Sequence, residues 1–187
     1  MIGYAICGSF CTHQKSLDVL SKLKLLYEDI LPIVSFNTAT IDTRFGKACE
    51  YLNKIEEITG VSPIKTIEDA EPIGPKIALE LLIIAPCTGN TLAKIANGIT
   101  DTPVTMAAKA HLRSNRPLLI ALASNDAMGA NLNNIGTLLN RKNIYFTPMF
   151  QDDIVKKPHS LVADFDKILT SAKDAINATQ TRPVFLC

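Results

Sequence analysis

The chain lacks the features that mark membrane proteins and nucleic-acid-binding proteins. No apolar run approaches the roughly 20 residues that a membrane helix needs. Basic residues form no block and do not interleave with aromatic residues, and the formal net charge is only +1, which argues against a nucleic-acid partner. No basic residue precedes the first apolar stretch, so we expect no secretory signal and a cytoplasmic location.

The cysteines show none of the spacing patterns that mark metal sites or disulfide frameworks. The cysteines are odd in number and widely spaced, and they form no Cys-x-x-Cys or mixed Cys/His arrangement. We therefore expect no metal site and no disulfide framework, and reduced thiols are the simplest interpretation. Cys87 falls at a candidate site, where a packing or lining role is favoured over a reactive one. The full set is Cys7, Cys11, Cys49, Cys87 and Cys187.

The glycine-rich fingerprint of dinucleotide-binding folds is also missing. Gly3 and Gly8 lie in and after the first predicted strand, but their spacing does not fit Gly-x-Gly-x-x-Gly. A nicotinamide cofactor is therefore not expected on this chain.

The stretch from Leu79 to Gly98 has the clearest local pattern in the sequence. Residues 81–85 form an unbroken apolar run, which is typical of a parallel strand buried on both faces. Pro86 is expected to stop this strand, because proline cannot donate to a ladder hydrogen bond. Small residues follow at 87–90, and from Thr91 the apolar residues take helical spacing. The stretch predicts a strand, a turn and a helix, and open α/β sheets bind ligands at such turns.

Strands and helices alternate along the whole chain. This alternation predicts an α/β fold, with one domain over residues 1–187. We expect a three-layer, doubly wound parallel sheet of about six strands, Rossmann-like or flavodoxin-like. Besides the central strand, apolar runs predict strands at 2–7, 30–36, 64–67, 117–123 and 143–146. Polar residues predict a turn over 37–40, and helical spacing is found at 16–29, 42–58 (with Phe45 inward), 102–112 and 160–178.

Small polar residues follow several of the predicted strands. Because the carboxyl ends of parallel strands meet at one edge of a sheet, these residues predict a single cleft. Free N–H groups at a helix start there favour an anion such as phosphate. The structural alternative is that the serines cap turns and Asn90 begins a helix, and the residues alone leave both interpretations open. The strand-end residues are Gly8 and Ser9, Ser35 and Asn37, residues 87–90, and Ser124 to Asp126.

The central turn carries a recognisable motif. Residues 85–91, Ala-Pro-Cys-Thr-Gly-Asn-Thr, with Asn97-Gly98 closing the helix, resemble the homo-oligomeric flavin-containing cysteine decarboxylase superfamily. The resemblance implies a flavin mononucleotide (FMN) site and assembly from trimers, with flavin sites between subunits. Four apolar or small residues suit packing against another copy, or cover the sheet: Met106, Ala107, Ala108 and Ala110. The implied cofactor-binding residues are Gly8, Ser9, Ser35, Asn37, Pro86, Cys87, Thr88, Gly89, Asn90, Thr105 and Met106.

Two departures from that superfamily concern its chemistry. Its decarboxylases carry a catalytic histidine shortly before the central strand, whereas residues 73–78 contain none. Their substrate-clamping segment is replaced here by residues 123–128. Decarboxylation of a cysteine-containing substrate is therefore disfavoured.

A closer resemblance links the chain to one two-subunit enzyme within that superfamily. It is carried by Thr43–Gly46, Ala70–Lys76, Met106–Ala110, Ser124–Ala127, Gln151–Asp153 and Lys156–Pro158. It implies an oxidoreductase subunit, active in the mother cell of a sporulating bacterium on a small cyclic dicarboxylate. The NAD(P) cofactor would lie on the partner subunit, not on this chain. The alternative is a flavin-binding or electron-transfer module without substrate chemistry.

No residue stands out as catalytic from the sequence. Arg44 is our first candidate for binding a carboxylate or a phosphate, because guanidinium binds both bidentately. His13 is an acid–base candidate, with a helix-start or surface role as the alternative. Asp126 follows a predicted strand but also suits a helix cap. Further candidate cations are Lys47, Lys76, Lys109 and Arg113.

Overall fold

The computed structural model describes residues 1–186, so the thiol of Cys187 lies outside the described residues. The strands are β1 (Ile2–Ile6), β2 (Ile30–Val34), β3 (Leu81–Cys87), β4 (Leu118–Ser124), β5 (Ile144–Phe146), β6 (Met149–Phe150) and β7 (Leu161–Ala163). The helices are α1 (His13–Leu26), α2 (Phe36–Thr40), α3 (Ala48–Thr59), α4 (Ile67–Ala70), α5 (Gly89–Ala96), α6 (Pro103–Leu112), α7 (Leu132–Leu139) and α8 (Ile168–Ile176).

Within residues 1–186 the strands form one seven-stranded sheet in the order β2-β1-β3-β4-β7-β6, with β5 paired to the first part of β4. Strands β1 to β5 are parallel and follow the flavodoxin-like order 2-1-3-4-5. The predicted α/β class is confirmed. Two short antiparallel strands, β6 and β7, extend the sheet beyond the prediction.

The central strands bury both of their faces, as their unbroken apolar runs predict. In β3, Leu82 and Ile84 belong to one core cluster, whereas Leu81 and Ile83 belong to the other. Helices α5, α6 and α7 cover the first face, and helices α1, α3 and α8 cover the second. The result is the predicted three-layer arrangement, with the ends of the strands left open to ligands.

Several predicted boundaries are wrong. Strand β3 continues through Pro86 to Cys87, with a shift of register where the proline cannot donate. The polar segment after β2 is the short helix α2, because the Ser35 hydroxyl accepts a hydrogen bond from the backbone N–H of Thr38. Helix α3 starts at Ala48, which leaves Phe45 exposed in a loop rather than facing inward.

The last predicted helix divides into three parts. Residues 161–163 form β7, a short 3-10 turn follows, and α8 begins only at Ile168. The Asp164 side chain accepts a hydrogen bond from the N–H of Asp166 and so starts the helical region later than the spacing predicts. Leu161 and Phe165 are nevertheless buried, since both elements bring them onto the core.

Three predicted absences can be compared with the described residues. No helix among them is long and apolar enough to cross a membrane. They contain no group of three or more His, Cys, Asp or Glu side chains able to hold a metal ion. Four cysteines are free thiols, of which Cys7 and Cys87 are buried and Cys11 and Cys49 are exposed.

Candidate functional site

A cavity of about 780 Å³ lies at the carboxyl ends of the strands, and we call it the strand-end cleft. The turn after β1 and the turn after β3 both line it. It therefore lies at the β1/β3 switch point, where flavodoxin-like sheets bind ligands. The lining residues are Gly8, Ser9, Phe10, Cys11, Thr12, Lys15, Arg44, Phe45, Thr88, Gly89, Ala123, Ser124, Asn125, Phe150, Asp152, Lys157 and Val162.

The turn after β1 offers hydrogen-bond donors to the cleft. Thr12 turns back to Ser9, donating from its backbone N–H (3.0 Å) and from its hydroxyl (2.8 Å) to the Ser9 carbonyl oxygen. No protein acceptor within residues 1–186 pairs with the N–H groups of Phe10 and Cys11, which begin this helical turn. The Ser9 hydroxyl does not cap the turn. These groups suit a phosphate or a carboxylate.

The turn after β3 presents the start of α5 to the same cleft. The Thr88 hydroxyl accepts from the Thr91 N–H at 3.3 Å and caps the helix. In the part of the chain that the structure describes, the N–H groups of Gly89 and Asn90 have no protein acceptor. A Cβ atom on Gly89 would lie 2.6 Å from Ser124 Oγ, so any larger residue at position 89 would force the Ser124 side chain to turn away.

The turn after β2 packs against the turn after β1 and does not itself line the cleft. The Ser35 hydroxyl is used in capping α2, which is the structural role that the sequence left open. Asn37 is exposed, and a Cβ atom on Gly8 would lie 3.2 Å from Asn37 Cβ. Neither Ser35 nor Asn37 lines the cleft, although Asn37 packs against the turn that does.

Charged side chains from three separate segments of the chain line the cleft. A tight turn, closed by backbone hydrogen bonds between Thr43 and Gly46, presents Arg44, whose guanidinium lies 4.9 Å from the centre of the Phe45 ring. Lys157 lies 2.9 Å from the Asp152 carboxylate, and this hydrogen bond raises the pKa of the lysine. With Lys15, the lining therefore carries three cations and one carboxylate. Such a lining attracts anions.

His13 and Cys87 are held inside the protein rather than in the cleft. His13 Nε2 lies 2.9 Å from the Cys7 carbonyl oxygen, its ring stacks on Tyr51 at 4.3 Å, and burial lowers its pKa. It borders a separate cavity of about 160 Å³. Burial raises the pKa of Cys87, and the neighbouring thiol of Cys7 raises it further. This burial fits a packing role for Cys87, because the reactive thiolate is disfavoured.

Several other predicted residues lie outside the cleft within one protomer. Pro86 is buried in β3, and Asn90 is exposed on α5. Asp126 accepts a hydrogen bond from the Asn131 side chain at 3.4 Å and organises the loop before α7. A second cavity, which we call the basic groove, has a volume of about 530 Å³ and holds other predicted residues. Its lining includes Ile99, Thr105, Lys109, Leu112, Arg113, Arg141 and Lys142.

Neither Thr105 nor Met106 lines the strand-end cleft of its own protomer. Thr105 forms a capping box with Thr102 at the start of α6, and Met106 packs partly against the core. The alanines at 107, 108 and 110 are buried and cover the sheet, and Ala108 also borders the basic groove. Lys47 borders the smaller cavity beside His13.

Sequence reasoning missed two cations of the cleft, Lys15 and Lys157. Lys15 lies one helical turn beyond the β1 turn, so a search for cations close to strand-end turns could have found it. The segment that contains Lys157 contributed only to the resemblance, and no spacing links that loop to the other strand ends. Its position depends on the antiparallel pair β6–β7.

Comparison with known proteins identifies the family. The family model described as Flavoprotein matches residues 2–176. The chain belongs to the Flavoprotein family. It is also 42% identical, over 185 residues, to the B subunit of dipicolinate synthase from Bacillus subtilis (strain 168), with 99% of this chain and 92% of that protein covered.

Two solved structures extend the comparison. The crystal structure of the dipicolinate synthase B subunit from Bacillus halodurans C has a TM-score of 0.91 and 40% identity, covering 100% of this chain and 95% of that one. The structure of HAL3 from Cryptococcus neoformans has a TM-score of 0.69 and 18% identity, covering 94% and 95% of the two chains. At that identity, the likeness to HAL3 shows the fold alone.

Proposed function

We propose that this chain is the B subunit of a dipicolinate synthase. With a nicotinamide-binding A subunit, it would convert a cyclic dihydrodipicolinate precursor into dipicolinate during sporulation, in the cytoplasm of the mother cell. The observation that carries the proposal is the near-full-length similarity to the B subunit of the Bacillus subtilis enzyme, at 42% identity. The absence of a Gly-x-Gly-x-x-Gly fingerprint supports the assignment of NAD(P), the hydride acceptor, to the A subunit.

The strand-end cleft fits the flavin that the family name implies. Its volume, about 780 Å³, lies within the range of small-molecule sites, which is about 300–1,000 Å³. The unpaired N–H groups of Phe10 and Cys11, in the turn after β1, would hold the FMN phosphate, with Ser9 as a further donor. Thr88 and Gly89 would lie by the flavin ring. When bound, FMN would supply hydride or single-electron transfer.

A small dicarboxylate is the substrate class that the cleft charges favour. Arg44 is our candidate for contact with a substrate carboxylate or with the flavin phosphate, because it is exposed on the cleft wall without a carboxylate partner among residues 1–186. His13 and Asp126 remain weaker catalytic candidates. Burial and a lowered pKa favour a neutral His13 near pH 7, so its proposed role is to hold the β1 turn in place.

We further propose a homo-oligomer built from trimers, in which a second copy completes each flavin site. Support comes from the separation of the proposed flavin residues within one protomer, since Thr105 borders the basic groove and Thr88 borders the cleft. Exposed Ile99 and the apolar floor of that groove suit burial against another copy. We expect light scattering at micromolar concentration to give the mass of a trimer or a multiple of it. A monomer would contradict this assembly.

Reconstitution tests the proposed function directly. Dihydrodipicolinate turnover would be followed by dipicolinate absorbance with the A subunit alone, this chain alone and both together. We expect the pair to form product at least about tenfold faster than either chain alone, because substrate positioning and the hydride acceptor lie on different chains.

The same assay separates the alternative function. A chain that absorbs as a flavoprotein, yet neither binds dicarboxylate nor changes the rate of the A subunit, would be an electron-transfer module. If the A subunit alone matches the pair, the proposed catalytic contribution of this chain is wrong.

A further inference from the structure

A loop with an exposed apolar tip borders the strand-end cleft. Residues 151–160 join β6 to β7, and Asp152 and Lys157 of this loop line the cleft. Between them lie Ile154 and Val155, which we call the loop tip, with 67% and 84% of their surface exposed. A single exposed apolar residue needs no explanation, whereas a group of them beside a ligand site marks an interaction surface.

Hydrogen bonds within the loop keep the loop tip in place. The Asp153 carboxylate accepts from the backbone N–H groups of Val155 at 3.2 Å and Lys156 at 2.8 Å. The Asp153 carbonyl oxygen accepts from the N–H of Lys157 at 2.9 Å, which closes a turn over residues 153–157. The salt bridge between Lys157 and Asp152 fixes the base of this turn. Because the loop is already ordered, a partner that binds the tip loses less conformational entropy.

The tight turn at 43–46 adds a second exposed apolar group to the cleft. Phe45 is 56% exposed and lines the cleft, with the guanidinium of Arg44 over its ring. Charged residues flank both Phe45 and the loop tip along the sequence. An apolar centre surrounded by charged and polar groups is the composition of a protein–protein interface.

The proposed reaction determines which partner has to reach this part of the molecule. The dihydrodipicolinate precursor gives a hydride to NAD(P)⁺ and a proton to solvent, and NAD(P)⁺ is assigned to the A subunit. Reacting atoms have to approach to about 3–3.5 Å. The A subunit must therefore approach the open end of the cleft, and it would contact the exposed groups that border it.

We infer that the loop tip, together with Phe45, is the docking surface for the nicotinamide-binding A subunit. The inference rests on the proposed function for the existence of that partner. A second copy of this chain is the alternative occupant. The proposed contact between copies uses the basic groove, which among residues 1–186 shares no lining residue with the cleft, so it leaves the loop tip without an assigned partner.

The test titrates the A subunit into the reconstitution assay with the wild type, Ile154→Asp and Val155→Asp. Each variant should need at least about tenfold more A subunit for half-maximal rate, because docking would bury a carboxylate where it had buried an apolar side chain. The maximal rate at saturating A subunit should not change, since neither side chain lines the cleft. Both positions are exposed, so we expect both variants to fold.

Leu25→Asp is the matched control. Leu25 is 87% exposed, close to the value for Val155, and it lies in the last turn of α1. That turn is about 18 Å along the helix from the start of α1 beside the cleft. The control should therefore require the same concentration of A subunit as the wild type.

Four results would overturn the inference. Both variants could titrate like the wild type, or the maximal rate could fall at unchanged half-saturation, which would give the loop a role in the chemistry instead. A change of mass in light scattering would assign the loop tip to contacts between copies. A wild-type chain that never changes the rate of the A subunit would overturn the proposed function and this inference together. An active pair in which both variants titrate normally would sink the docking surface alone.

Discussion

Replacing Gly74 with alanine is expected to destabilise the protein by about 3 kcal/mol, since left-handed strain and overpacking each contribute on the order of 1–3 kcal/mol. Gly74 has a φ of +98°, which alanine rarely adopts. Its new Cβ atom would overlap the Ala110 carbonyl oxygen on α6 and lie 2.9 Å from Ser114 Oγ. A backbone carbonyl cannot rotate aside as a flexible side chain can. The loop that contains Gly74 must therefore move away from α6. Urea denaturation followed by circular dichroism, at one fixed protein concentration, measures the change.

Gly60→Ala separates strain from overlap. Gly60 ends α3 with a φ of +76°, and no atom lies within 4 Å of the position its Cβ atom would take. The control therefore retains the backbone strain and lacks the collision, and it should cost about 1 kcal/mol. Equal losses for the two variants would mean that the contact between the Gly74 loop and α6 contributes nothing measurable to stability.

Most of the parallel part of the fold could be predicted because its signals are local. The strand predicted at 64–67 is wrong, since Ile64 forms only an isolated bridge with Ile33 and α4 begins at Ile67. The apolar run at 81–85 is long enough to identify a strand buried on both faces, and the small residues after it identify the turn. Strands β6 and β7 were missed because each is short and depends on a partner far along the chain. Pairing between distant segments leaves no periodicity in either one.

The predicted helix boundaries were wrong where local hydrogen bonds override the helical spacing of apolar residues. Phe45 has the spacing of an inward-facing helical residue. However, the turn at 43–46 is closed by hydrogen bonds between Thr43 and Gly46, and α3 begins only at Ala48. The Asp42 carboxylate accepts from the N–H of Ala48 and marks that start. Such competition is decided by the three-dimensional contacts of the loop, which the order of residues along the chain does not reveal.

The candidate site was predictable where polar turns follow strands. Gly8, Ser9, Thr88 and Gly89 all line the cleft, as their common edge of the sheet predicts. Thr105 was assigned to the flavin site only by resemblance to proteins whose flavin sites lie between subunits. Such a resemblance does not show which subunit supplies a given residue. Lys157 was not predicted because its loop reaches the cleft through β6 and β7, the strands that the sequence did not reveal.

We expect Gly89→Val to weaken FMN binding by about a hundredfold, which corresponds to roughly 3 kcal/mol, or to two hydrogen bonds at the upper end of the neutral range of about 0.5–1.5 kcal/mol each. A Cβ atom at this position would lie 2.6 Å from Ser124 Oγ and 2.7 Å from Asn131 Nδ2, and valine adds two further carbons. Asn131 is buried and Ser124 is partly buried, so these side chains have little room to turn aside for the added carbons, and we expect the start of α5 to shift. The free N–H group of Gly89 would then move relative to the cleft that this residue lines. Quenching of FMN fluorescence on titration measures the loss.

Gly136→Val is the control for this prediction, because it makes the same substitution in another helix. No atom lies within 4 Å of the position that a Cβ atom on Gly136 would take, and glycine and valine differ little in helix propensity. This variant should bind FMN like the wild type and differ from it by less than about 0.5 kcal/mol in stability. Gly89→Val must be tested where urea denaturation shows it still folded, since overpacking alone costs about 1–3 kcal/mol. A folded Gly89→Val protein that binds FMN normally would rule out the start of α5 as part of the flavin site, because its donors would then be dispensable.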